Sequence, residues 1–68
     1  MDLYFVNVSS LQVRRVPSEP SKINISRGTI VQETGETKQY KKETWIKVIT
    51  LSSPVITGYI PKKYVTKI

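Results

Sequence analysis

The sequence predicts an all-β fold, a small closed barrel of five to six short antiparallel strands with a single 3-10 turn near Pro61–Tyr64. Three observations predict it. No segment places apolar residues at the i, i+3, i+4, i+7 spacing of an amphipathic helix. Short β-branched runs instead alternate with Gly, Pro, Ser and Thr punctuation. The chain also has 68 residues and neither cysteine nor histidine, so no disulfide and no structural zinc site is expected to staple it. A domain this small buries only about 60% of its unfolded surface. Closing the sheet on itself removes the edges that a short open sheet would leave unpaired.

Tyr4–Val8 alternates and makes the first strand, and Leu11–Arg14 alternates again with Leu11 and Val13 inward. Val16–Ser21 holds two prolines and is a loop. Ile23–Ile25 is a brief extended piece closed by a turn at Arg27-Gly28, and Thr29–Thr34 is the next strand, with a turn expected over Gly35–Lys38. Trp45–Thr50 is the clearest strand. Period two puts Ile46 and Val48 on one face and Trp45 with Lys47 on the other. A tryptophan that shares a face with a lysine points away from the core; filling the core is the alternative, because the chain has one Trp and one Phe. Leu51–Val55 is a loop, and Ile56–Ile60 is the last long strand. Pro61 lacks an amide hydrogen, so it leaves the strand and opens one helical turn, which sets Pro61 and Tyr64 side by side. Tyr40 and Tyr59 are expected to face outward from the sheet. One domain spans residues 1–68.

Eleven Lys plus Arg against five Asp plus Glu leave a net charge of +6, which favours anionic partners. The basic residues group as Arg14-Arg15, Lys38 with Lys41-Lys42, and Lys62-Lys63 with Lys67. No apolar run approaches the roughly 18 residues of a membrane span. The start Met1-Asp2-Leu3-Tyr4-Phe5 has no basic segment before its apolar stretch and does not read as a signal peptide. Catalysis is not expected. The carboxylates are scattered, and a Ser or Thr nucleophile has no base but a lysine. No cofactor or metal is implied.

Two stretches resemble one family. Tyr4-x-Val6, Leu11-Gln12-Val13-Arg14-x-x-Pro17-Ser18 and Ile23-Asn24-Ile25-Ser26-Arg27-Gly28 resemble the opening half of bacterial SH3 domains. Trp45 with Val48, and Gly58-Tyr59-Ile60-Pro61-x-x-Tyr64-Val65, resemble the closing half, the latter in its eukaryotic form. The resemblance covers residues 4–66. Arg15 and Val16 depart from the usual serine-glycine, and the tyrosine-rich motif of eukaryotic members is missing, with Gln12, Val13 and Arg14 in its place.

The resemblance implies an SH3-like barrel in which Trp45, Pro61 and Tyr64 form a binding shelf, with Tyr59 beside it. It also places Arg14-Arg15, Lys41-Lys42 and Lys62-Lys63 on the rim, with Arg15, Lys42, Lys62 and Lys63 as ligand contacts, which makes the rim basic where many relatives are acidic. An anionic or extended ligand then fits better than a basic proline-rich peptide. Relatives commonly target envelope enzymes, so the implied partner is a cell-wall polymer or a protein. Two other readings stand: a basic barrel that binds nucleic acid, and a small stand-alone protein, phage-encoded in one version, that modulates a host protein. Arg14-x-x-Pro17-x-x-Pro20 also matches the ligand consensus of eukaryotic SH3 grooves; prolines that stiffen a loop explain it more simply.

Overall fold

A computed structural model describes all residues, Met1–Ile68. It is all-β: β1 (Leu3–Val6), β2 (Ser10–Gln12), β3 (Asn24–Ser26), β4 (Ile30–Tyr40), β5 (Glu43–Thr50), β6 (Thr57–Pro61), a 3-10 turn (Lys62–Tyr64) and β7 (Val65–Lys67). Five strands form one antiparallel sheet in the order β6-β5-β4-β1-β7, and β2 and β3 form a second. Neither sheet closes on itself. An isolated bridge, Arg14 to Tyr59, ties the segment that follows β2 to β6, with Arg14 N donating to Tyr59 O at 3.0 Å and Tyr59 N to Arg14 O at 2.6 Å. No helix is long and apolar enough to cross a membrane.

The expected alternation holds where it matters for the core. Val6, Leu11, Val13, Ile25, Val31, Ile46, Val48, Ile60 and Val65 converge between the sheets, with Tyr4 at one end. Burial raises the Tyr4 pKa above the usual phenol value, and the neighbouring Glu33 carboxylate, which accepts its hydroxyl at 3.3 Å, adds to the shift. Gly28 adopts φ +88°, and Gly28 N donates to Val6 O, so the expected turn after β3 forms. The loop from Val13 to Ile23 is held by Ser21 Oγ donating to Val13 O and by Glu19 N donating to Val16 O. Arg15 and Val16 turn that loop without left-handed φ values, so the missing glycine carries no strain there.

Three expectations are corrected. The chain does not reverse over Gly35–Lys38. Gly35, at φ +98°, sits in a bulge of β4, where the register shifts between Glu33 and Thr37, and β4 continues to Tyr40. The reversal falls at Lys41 and Lys42, whose φ values of 50° and 66° match the left-handed pair of a two-residue hairpin turn. Glycine announced the positive φ correctly, but a bulge uses it as readily as a turn. Tyr59 does not face outward: it is 5% exposed, paired with Lys47 on β5 and lying under the Lys38 ammonium, 5.8 Å from its ring. The bridge to Arg14 covers it, which single-strand alternation could not foresee. A seventh strand, β7, pairs with β1 through Tyr4–Lys67, Phe5–Thr66 and Val6–Val65.

Lysine in a left-handed turn is strained relative to Asn or Gly. Replacing Lys41-Lys42 with Asn-Gly is therefore expected to stabilise the domain by about 1 kcal/mol. A higher urea midpoint at unchanged slope is the expected readout, and an unchanged or lower midpoint contradicts the turn assignment.

Candidate functional site

The main cleft lies where β2, β5 and the 3-10 turn meet. Pairing of β5 with β6 sets Trp45 directly opposite Pro61. Pro61, with φ −65° and ψ 129°, ends its strand on the sheet edge, where its missing N–H leaves no ladder bond unmade. The 3-10 turn begins one residue later and carries Tyr64 back beside it. Asn7 N donates to Tyr64 O at 3.0 Å and brings the link between β1 and β2 alongside. The result is an open groove of about 400 Å³ lined by Trp45, Pro61, Tyr64, Val8, Ser10, Leu11, Gln12 and Arg14.

Trp45 is buried and not an open shelf. It lies outside the core group that holds Ile46 and Val48, yet it is only 7% exposed. The Arg14 guanidinium covers its ring, 5.1 Å from the centroid. A cation over an indole face is attracted by the ring quadrupole, by about 0.5–2 kcal/mol. Trp45 Nε1 is buried and has no hydrogen-bond partner. An orphaned buried donor costs about 1–3 kcal/mol, so it marks a place where an acceptor is missing.

Of the expected site residues, Trp45, Pro61 and Tyr64 come together on the groove, and the others do not line it. Tyr59 is buried behind the Arg14 bridge. Arg15 is exposed and paired with Glu19 at 2.6 Å. Lys63 is held by Glu43 at 2.6 Å, beside the Tyr64 ring, and that hydrogen bond raises its pKa above the ordinary lysine value. Lys62 is exposed on the turn and Lys42 at the hairpin tip. The groove also contains Gln12 and Arg14, two of the three residues that stand in place of the tyrosine-rich motif. The alternation that sends Leu11 and Val13 inward sends Gln12 and Arg14 to the opposite face, so that signal was present.

Charge is distributed unevenly over the site. Four of the five carboxylates hold a cation each: Glu19 with Arg15, Glu36 with Lys47, Glu43 with Lys63, and Asp2 with Lys67. The fifth, Glu33, accepts from Tyr4 and from Asp2 N. Seven of the eleven cations therefore face no carboxylate, and among the groove residues Arg14 is the single charged one.

No family model, no curated protein and no solved structure matches this chain.

Proposed function

We propose that this protein is a non-catalytic binding module of the bacterial SH3 type, and that the groove docks an anionic or extended ligand, a cell-wall component or a protein. The two sheets joined at Arg14–Tyr59 are then read as an SH3-like barrel, with the bridge as its seam. The observation that carries the functional reading is the groove on which Trp45, Pro61 and Tyr64 come together around Arg14, with the Trp45 Nε1 donor left without a partner. The apolar walls would take a ligand side chain, and Arg14 would receive an anionic group beside it. The excess of unpaired cations supports an anionic ligand.

Alanine at Trp45 would remove a buried ring and confuse binding with stability. Phenylalanine keeps an aromatic ring and much of the bulk while deleting the donor. Trp45→Phe and Tyr64→Ala are each expected to weaken binding about tenfold or more, since a buried interface hydrogen bond or aromatic wall contributes about 1.5 kcal/mol or above. Calorimetric titration with purified peptidoglycan fragments, a phosphate-bearing wall polymer and an acidic peptide library measures this. Affinities that both variants leave intact would remove the groove from the account.

A further inference from the structure

Resting on the groove reading above, we infer that Arg14 is the specificity residue of the site and that its ligand is an extended acidic peptide, with an Asp or Glu carboxylate next to a proline or aliphatic residue. Arg14 is built into position. Its Nε donates to Gln12 Oε1 at 2.8 Å, its Nη1 donates to Pro17 O at 2.7 Å, and its Cζ lies over the Trp45 ring, 5.1 Å from the centroid. These contacts fix the side chain before any ligand arrives, so little rotamer entropy remains to be lost on binding. They also leave Nη2 without a protein acceptor.

No carboxylate pairs with Arg14, although its neighbour Arg15 has one in Glu19. A half-buried guanidinium beside an apolar wall, with both Nη2 hydrogens and the second Nη1 hydrogen free, can meet a carboxylate end-on through Nη1 and Nη2. The rest of the groove is Val8, Leu11, Pro61, Trp45 and Tyr64 with the small polar Ser10 and Gln12. That is one anion subsite beside one apolar subsite.

The count of cations selects the occupant. A nucleic acid or a phosphate polymer repeats its charge along the chain and is bound by a row of cations that tracks it. Here the groove has one. Lys38, Lys41 and Lys42 belong to the β4–β5 hairpin and Lys62 to the exposed face of the 3-10 turn, and none of them lines the groove. A peptide with one acidic side chain between apolar neighbours meets both subsites with no charge left over.

The test selects a displayed library of random decapeptides against the full 68-residue chain. The best binders are then measured against wild type, Arg14→Gln, Arg14→Lys and Tyr64→Ala. The expected peptides share an Asp or Glu beside Pro or an aliphatic residue. Arg14→Gln and the peptide's own Glu→Gln change each weaken binding roughly ten- to hundredfold. The two changes together lose no more than either alone, which marks a direct pair. Arg14→Lys keeps the charge, loses the fork and falls between.

Binders that depend on Tyr64 but lack an acidic residue, and that bind Arg14→Gln normally, overturn the carboxylate assignment and leave the groove reading standing. Binders indifferent to both Arg14 and Tyr64, or no enrichment at all, overturn both. Displacement of the selected peptides by an oligonucleotide or wall polymer at moderate salt also overturns the peptide assignment. If Arg14→Gln does not fold, the peptide Glu→Gln arm on the wild-type chain decides alone.

Discussion

Replacing Gly58 with alanine is expected to destabilise the domain by about 2–3 kcal/mol, at the upper end of what overpacking costs. A Cβ on Gly58 would lie 2.7 Å from Arg14 O and 2.7 Å from Val13 Cγ1. Neither can move freely. The Arg14 carbonyl accepts from Tyr59 N in the bridge that ties the segment after β2 to β6, and Val13 is a core residue. The methyl would therefore push the sheets apart at their seam and shift Arg14 off Trp45. A domain of this length has about 3–10 kcal/mol of stability in all, so the effect is a large fraction of it. Urea unfolding measures the loss, and a midpoint equal to wild type would contradict the close approach at Gly58.

Ile60→Ala is expected to cost about 3–4 kcal/mol, the range for truncating a fully buried aliphatic side chain. Ile60 has no exposed surface and pairs with Ile46, itself in the core. Ile60→Val removes one methylene and is expected to cost about 1 kcal/mol. For a domain of this size each kcal/mol moves the melting temperature by about 4–8 °C. Alanine thus lowers it by about 12–32 °C and valine by well under half of that. Equal effects of the two variants would place Ile60 at a site that collapses around the loss, not in a rigid core.

Much of the fold is legible in the sequence because it rests on period-two alternation. Leu11, Val13, Ile25, Ile46, Val48 and Ile60 alternate with polar neighbours or lie in short apolar runs, and they make the core. What alternation does not report is pairing. Tyr59 looks outward along its own strand and is nonetheless buried, with Lys38 over its ring and the segment after β2 bridged to its backbone through Arg14. The hairpin tip was misplaced for a related reason. Lys41-Lys42 has no turn chemistry, and the long β4–β5 pairing imposes the left-handed φ values on it.

The candidate site divides in the same way. Pro61 and Tyr64 are three residues apart and meet through local geometry, and Trp45 joins them because β5 pairs with β6 in a register that sets it opposite Pro61. The rim lysines and Arg15 are identifiable as cations, but their partners are not. Glu43 and Glu19 neutralise Lys63 and Arg15, and leave Arg14 as the cation in the groove. Only the assembled structure shows which of the unmatched cations lies in the groove.

The most direct test is the Trp45 indole N–H signal in a two-dimensional NMR titration of the ¹⁵N-labelled domain. The titrants are peptidoglycan fragments, a library-selected acidic peptide and a short oligonucleotide, each at low and moderate salt. The account predicts that a true ligand moves the Trp45 Nε1–H resonance together with the Tyr64 and Arg14 amides, and that these shifts persist in salt. A ligand that binds while the indole signal stays still, or shifts confined to exposed lysines that vanish in salt, would contradict the claim that this groove is the binding site.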